Sequence, residues 1–268
     1  MTSTPKPGKL LLVSIGPGSQ DQITARAMAA LREADVVVGY KSYLNHIAPL
    51  LTGQETVGSG MRHELERCVD ALRYAQSGKV TVLISSGDVG IYGMAGPAFE
   101  VLFEAGWRPG EGIEVEVIPG VSAINACAAL VGAPLTHDFC AISLSDLLTP
   151  WPVIAKRLEA AASADFVTAL YNPKSSKRTI QIEEAQRIFL RHRAPTTPTA
   201  VITAAFREDS QVTLTDLAHM LEHPINMETT LLIGNASTFT RFGLMVTPRG
   251  YTDKYDIERI VHAPAHSD

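Results

Sequence analysis

The sequence predicts an α/β fold in two domains, and three observations predict it. Val80-Thr81-Val82-Leu83-Ile84 is an apolar, β-branched run with the composition of a strand buried on both faces of a parallel sheet. It runs into a glycine-punctuated loop, Ser85 to Gly93, that holds one carboxylate, and Met94 to Ala105 then reads as a helix. A second strand, Ile113 to Ile118, breaks at Pro119-Gly120 and continues as Val121-Ser122-Ala123, the start of a small-residue helix. Strand, glycine-rich turn and helix is the arrangement in which α/β sheets bind ligands, at the carboxyl ends of their strands. Two such turns in neighbouring strands imply one shared pocket.

The elements follow in order. Lys9 to Ile15 is a first strand, closed by Gly16-Pro17-Gly18. Gln20 to Ala34 carries Ile23, Ala27, Ala30 and Leu31 at helical spacing. Asp35 to Gly39 is a second strand, Tyr43 to Leu51 a short helix, and Glu55 to Val57 a third strand. Arg62 to Gln76 is amphipathic through Leu65, Val69 and Leu72, with Ser77-Gly78 as its stop. Repeated β-α alternation predicts a parallel sheet. Beyond Pro134 the texture changes. Strands are expected at Phe139 to Leu144, Phe166 to Leu170, Pro198 to Thr203, Gln211 to Leu214 and, last, Thr229 to Ile233. Helices are expected at Trp151 to Ala162, at Lys177 to His192, and from a Thr215 cap to Glu222. The predicted organisation is a tail over 1–8, an N-terminal α/β domain over 9–119, a C-terminal α/β domain over 120–250 and a tail over 251–268. The active site is expected in the cleft between the domains.

Composition removes several function classes. At 268 residues, nearly half hydrophobic and under a fifth charged, the chain has enough apolar material for full cores. Its net charge of −5 argues against a general nucleic-acid binder, while a local basic patch suffices for an acidic small molecule. No apolar run approaches the ~18 residues of a membrane span. Gly16-Pro17-Gly18 interrupts the Leu10 to Val13 run too early for a secretory signal, so a cytoplasmic location is expected. Cys68, Cys127 and Cys140 share no Cys-x-x-Cys spacing and read as reduced thiols; no metal-ligand spacing joins the histidines.

The motifs each carry two readings. Gly16-Pro17-Gly18-Ser19 lacks the Lys-Ser/Thr of a phosphate loop and the spacing of a dinucleotide fingerprint, and alone reads as a tight turn. Asp88 is either a turn or N-cap carboxylate or a contact for a ribose hydroxyl or cationic amine. Lys174, Lys177 and Arg178 follow Tyr171-Asn172-Pro173, where cations oppose the dipole of the coming helix and so point to an anionic partner. His137, beside Asp138, is the one histidine kept as a candidate acid or base.

Together these segments resemble the tetrapyrrole methylase family, S-adenosylmethionine (SAM) enzymes of two α/β domains. The resemblance runs from Gly16-Pro17-Gly18 through Thr24 to Ala27 and Ala34 to Tyr40, and on to Ile233-Gly234-Asn235. Ser86-Gly87-Asp88 with Gly90-Ile91-Tyr92-Gly93, and Pro119 to Ala123, match the family's SAM-binding segments. Val89 stands where many relatives carry proline, a change expected to alter loop rigidity and not chemistry. Gly58 to Arg62, Ile142 to Trp151, Tyr171 to Ser175 and Thr247 to Tyr251 are similar to the branch that methylates carbon 17 and contracts the corrin ring.

The resemblance implies SAM as cofactor, contacted by Gly87, Asp88, Ile91, Tyr92, Ser122, Ala123, Tyr171, Asn172, Ala204, Gly234 and Asn235. It implies a tetrapyrrole substrate near Pro17, with Lys174, Lys177 and Arg178 as a cationic rim, and a homodimer. Asp88 and His137 are the catalytic candidates, and neither identifies itself as the proton-transfer group. Three functions follow. One is SAM-dependent methylation of carbon 17 of metal-free precorrin-3B with ring contraction to precorrin-4, in cobalamin synthesis. This is preferred because no Cys/His-rich extension suggests metal handling. The second is the same step on cobalt-factor III, and the third a non-catalytic corrinoid carrier.

Overall fold

The computed structural model describes residues 8–262. Of the two expected tails, residues 1–7 and 263–268 lie outside the described residues. Gly8 is buried, and its carbonyl accepts the N–H of Glu114 at 3.1 Å. Residues 251–262 carry two short helices. Contacts divide the chain into two compact units. The first runs to Ala126 and also takes in Ala204–Ser210; the second comprises Cys127–Thr203 and the chain from Gln211 onward. The division falls inside a helix, a few residues beyond the expected boundary at Pro119-Gly120.

In the first unit, five strands lie in the order β3-β2-β4-β1-β5, every pair parallel. They are β1 (Lys9–Ser14), β2 (Val36–Tyr40), β3 (Glu55–Ser59), β4 (Val80–Ser85) and β5 (Glu114–Ile118). The helices are α1 (Ala25–Glu33), α2 (Lys41–Ile47), α3 (Glu64–Gln76), α4 (Ala95–Glu104) and, across the unit boundary, α5 (Ala123–Val131). Strand side chains alternate faces. Leu10, Leu12 and Leu83 therefore pack with Cys68 and Leu72 of α3 and Leu102 of α4. Leu11, Val13 and Ile84 pack with Ala27 and Leu31 of α1 and Ile47 of α2. Both faces are covered, which is why the centres of β1 and β4 are almost wholly apolar. Thr24 caps α1 by accepting the N–H of Ala27 on its Oγ1 at 3.2 Å.

In the second unit the main sheet has the order β10-β9-β11-β8-β7, with β7–β8 parallel and the other pairs antiparallel. A two-residue strand, β6 (Gly132–Ala133), precedes β7 (Phe139–Ser143), α6 (Trp151–Ser163), β8 (Val167–Tyr171), α7 (Ile180–Leu190), β9 (Pro198–Thr203), β10 (Gln211–Asp216) and β11 (Thr229–Ile233). Phe189 is fully buried in a core built from α6, α7 and this sheet.

Three expectations need correction here. Thr215 does not cap a helix: it pairs with Thr199 inside β10, and only Met220–Glu222 forms a 3-10 turn. The ladder with β9 satisfies backbone groups that a helix would otherwise have used. The helix expected from Lys177 begins at Ile180, because Ser175 and Arg178 close a turn on each other, Ser175 N to Arg178 O at 2.9 Å. Nor is β11 the last strand. A hairpin of β12 (Phe239–Arg241) and β13 (Leu244–Val246) follows, with β13 pairing parallel to β6. Its two-residue turn places Phe242 at φ +52° and Gly243 at +77°, as a tight hairpin requires. The chain then forms α8 (Tyr251–Lys254) and α9 (Ile257–Val261). No helix among the described residues is long and apolar enough to cross a membrane.

Candidate functional site

The first unit's strand order creates a topological switch. From β1 the chain leads two places one way to β2; from the adjacent β4 it leads two places the other way to β5. The connections leave a crevice at the carboxyl ends of β1 and β4, where open α/β sheets bind ligands. The two loops there are joined backbone to backbone, Gly87 N to Gly16 O at 2.7 Å and Gly16 N to Gly87 O at 3.2 Å. Gly87 has φ +66°, a conformation that glycine adopts without strain.

The glycine-rich loop after β4 is anchored from two sides. Ser14 Oγ, fully buried, donates to Ile118 O at 2.7 Å and accepts the Val89 N–H at 2.8 Å. Asp88 spends one carboxylate oxygen on Gly90 N at 2.8 Å and the other on Gly120 N at 2.9 Å. It thus ties the β4 loop to the turn after β5. Each carboxylate oxygen retains a second lone pair, so a further donor can still be accepted. Gly120 admits no side chain: a Cβ there would lie 2.4 Å from Ser14 Cβ and 2.8 Å from Gly87 O. Ser122 is buried, its Oγ donating to Asn125 Oδ1 at 2.6 Å, and Ala123 begins α5. Ile91 and Tyr92 face solvent, and Tyr92 holds φ +53°.

Beside these loops lies a cavity of about 310 Å³ lined by Gly16, Pro17, Gly18, His46, Ser86 and Arg207 among others. His46 Nε2 bonds to Gly18 O. A carbonyl only accepts, so Nε2 carries the hydrogen and a neutral ring has Nδ1 as acceptor. The segment 204–207 packs on Gly18, whose Cβ would stand 2.7 Å from both Ala205 O and Phe206 O. Ala204 and Phe206 hold φ +52° and +59°. Left-handed backbone at non-glycine residues costs roughly 1–2 kcal/mol each and concentrates at functional sites. Pro17, Gly87, Asp88, Ile91, Tyr92, Ser122, Ala123 and Ala204 therefore all fall within the first unit.

The remaining expected residues fall within the second unit. Tyr171 ends β8, and Asn172 follows at φ +50°, donating from Nδ2 to Ser143 Oγ at 3.0 Å. Arg178 turns back on this loop: Nη2 donates to Asn172 O and reaches Met227 Sδ at 3.6 Å. Its guanidinium pKa is pushed down by burial. Lys174 lines a separate cavity of about 460 Å³ with Ser175 and Met227, and Lys177 is exposed. Asn235 Oδ1 accepts from Ser237 N at 3.0 Å and from Thr238 Oγ1 at 3.0 Å, which shapes the turn after β11. His137 is exposed, its Nδ1 accepting the Asp138 N–H at 2.8 Å. Burial pushes the Cys68 and Cys127 thiols up to about 12, so both stay protonated at neutral pH. No group of three or more His, Cys, Asp or Glu among the described residues could hold a metal.

Sequence reasoning missed Arg193. Its buried guanidinium donates from Nη1 to Gly234 O and from Nη2 to Phe166 O and, at 3.3 Å, to Ala161 O. It lies 5.0 Å over the Phe189 ring, and its Nε is 3.6 Å from Asp165 Oδ1. No pattern around a lone arginine in the sequence announces this role.

The model of the tetrapyrrole (corrin/porphyrin) methylases matches residues 9–221. A cobalt-factor III methyltransferase of Priestia megaterium is 54% identical over 94% of this chain, which spans 47% of that protein. A probable cobalt-factor III C(17)-methyltransferase of Salmonella typhimurium is 46% identical over 91% of this chain and 99% of its own length. A precorrin-3B C(17)-methyltransferase of Sinorhizobium is 39% identical over 91% of this chain and 97% of its own. Among solved structures, the methyltransferase CobJ aligns with TM-score 0.85 and 36% identity over 90% of this chain and all of CobJ. A Thermus thermophilus uroporphyrin-III C-methyltransferase complexed with S-adenosylhomocysteine aligns at 0.67 and 25% identity, over 85% of this chain and 97% of that one.

Proposed function

Because the chain belongs to the tetrapyrrole (corrin/porphyrin) methylase family, we propose that it transfers a methyl group from SAM to carbon 17 of a corrin precursor in cobalamin biosynthesis, with contraction of the ring. The observation that carries this reading is the likeness to relatives named for that step over nine-tenths of the chain, and the anchored switch-point loop supports it as a place for the cofactor.

The first-unit residues fit SAM. Gly87, at φ +66°, turns the loop back toward the start of α5, where a Cβ would stand 3.5 Å from Ala123 N. Exposed Ile91 and Tyr92 supply apolar surface for a flat base, and Asp88 a carboxylate for a hydroxyl or ammonium group. When bound, SAM supplies an electrophilic sulfonium methyl. The chain's part is to hold the accepting carbon in line with that methyl and to exclude water. Asp88 fixes the loop that orients the cofactor, while Lys174 and Lys177 serve as point charges toward substrate carboxylates.

Relatives named for cobalt-factor III are 54%, 46%, 42% and 37% identical, and one named for precorrin-3B is 39% identical. The two at 54% and 46% support the cobalt-bearing macrocycle as substrate. We further propose a homodimer; Leu147 and Leu148, 71% and 93% exposed, support it as surface that self-association could cover. Light scattering reads the mass.

The deciding experiment incubates the protein with SAM and either substrate and follows products by mass spectrometry. Methylated product with formation of S-adenosylhomocysteine is expected, faster with the cobalt-bearing substrate. Binding of both macrocycles without SAM consumption would leave a carrier instead of an enzyme.

A further inference from the structure

We infer that Arg178 is a positioning residue for the cofactor: it holds Asn172, just past β8, in the backbone shape that meets SAM. The inference rests on the SAM reading above and on the expectation that Asn172 contacts the cofactor. What it adds is the residue that sets that contact. β7 and β8 are parallel, and the carboxyl end of such a pair is where α/β sheets present loops to ligands. Asn172 is the first residue past that end, at φ +50°. Asparagine tolerates left-handed backbone better than most residues, yet Pro173 favours extended backbone at the position before it. The local sequence therefore works against the shape Asn172 holds, and such a shape persists only where the surroundings impose it.

Two contacts impose it. From one side Asn172 Nδ2 donates to Ser143 Oγ at 3.0 Å, and the same oxygen accepts the Ser145 N–H at 3.2 Å. The side chain is thereby tied to the end of β7. From the other side Arg178 Nη2 donates to Asn172 O. That bond fixes the carbonyl and, because the peptide is planar, the whole Asn172–Pro173 unit with it. Arg178 is itself held in place. Ser175 N donates to Arg178 O at 2.9 Å, Arg178 N donates to Ser175 Oγ at 3.1 Å, and Nη2 lies 3.6 Å from Met227 Sδ. The turn and the thioether aim the guanidinium back at Asn172. A guanidinium that grips a substrate carboxylate offers its fork outward. This one spends Nη2 on its own loop and keeps Nε buried without a hydrogen-bond partner. Arg178 thus leaves the cationic rim and joins the support of the cofactor loop.

The test uses the full chain and S-adenosylhomocysteine, with binding followed by calorimetry. Arg178→Gln is expected to weaken binding roughly three- to tenfold, and Arg178→Lys, which keeps one donor, to fall between it and wild type. Glycine adopts positive φ without strain, so in an Asn172→Gly background the Arg178→Gln change should remove little further affinity. A residue that only stabilised the second unit would show no such rescue. In wild type, reciprocity requires bound S-adenosylhomocysteine to tighten the Arg178–Asn172 contact. Modification of Arg178 by phenylglyoxal, read by peptide mass mapping, should therefore slow in the complex; this arm needs no variant. Unchanged affinity in a folded Arg178→Gln protein, equal losses in both backgrounds, or Arg178 modified as fast with ligand as without overturns the inference while the methyltransferase reading stands. Wild type that does not bind S-adenosylhomocysteine overturns the SAM reading and the inference with it.

Discussion

Ser14 Oγ accepts the backbone N–H of Val89 at 2.8 Å while donating to Ile118 O at 2.7 Å, so one buried hydroxyl joins β1 to the ends of β4 and β5. This gives a physical meaning to the valine at this position, because a proline there would have no N–H to donate. Ser14→Ala should destabilise the protein by about 1–3 kcal/mol, since it orphans a buried N–H and a buried carbonyl. In a Val89→Pro background the same substitution should cost less, because the N–H is already gone. Urea denaturation of the four proteins measures the coupling, and strictly additive losses would refute it.

Asp88→Ala removes the links to Gly90 and Gly120 together. A fall in S-adenosylhomocysteine affinity on the order of tenfold or more is expected, as a charge-assisted contact worth about 1.5–3 kcal/mol is lost. Asp88→Asn keeps one acceptor oxygen and should fall between. Calorimetry that finds both folded variants binding like wild type would place the cofactor elsewhere.

Glu55 on β3 sets a pH dependence at both extremes. The hydrogen bond from Lys79, then that from Tyr74, holds its carboxyl below the ordinary 4.5. Its contribution is present above 4.5 and lost as pH falls through the depressed value. The hydrogen bond with Glu55 raises Lys79 above 10.5 and Tyr74 above 10.0. Their contributions are present below those values and lost as pH rises through the elevated ones. Glu55→Gln should flatten both arms of a plot of urea midpoint against pH. The pairs are exposed, so the effect is small; superimposable profiles would discount it.

Arg193→Ala should be among the most damaging substitutions in the second unit. It leaves the carbonyls of Gly234, Phe166 and Ala161 without their donor and removes the cation over Phe189. A loss of about 3–5 kcal/mol is expected, the range for breaking a buried charged network. Arg193→Lys should recover only part, because an ammonium cannot reach three divergent carbonyls. Thermal denaturation reads both, and a melting temperature close to wild type for the alanine variant would count against the network.

The sheet of the first unit was legible because burial on both faces leaves a direct record: Leu10 to Val13 is an unbroken apolar run, Val80 to Ile84 is interrupted only by β-branched Thr81, and each became a strand. The loops at Gly16 and Gly87 were legible as breaks in those runs. Exposed elements wrote no such record. Phe239, Phe242 and Leu244 all face solvent, so the β12–β13 hairpin shows no alternation of apolar and polar residues. Thr215 resembles a helix cap in any local window, and only its distant partner Thr199 makes it a strand residue. The arginines were illegible for the same reason. Arg67, buried on α3 and donating to Ser59 and Gly60, and Arg193 acquire their roles from carbonyls and hydroxyls that only the folded chain brings near.

The return of Ala204–Ser210 to the first unit has a consequence for biosynthesis. Translation places residue 126 in the growing chain well before residue 210. At about 5–20 residues per second, the intervening stretch takes roughly 4–17 s to make. Over that interval the nascent first unit has its five strands but lacks the backbone that rests on Gly18. A ribosome-stalled chain ending before Ala204 should therefore be more readily cut by protease near Gly18 than one stalled with Ser210 clear of the exit tunnel.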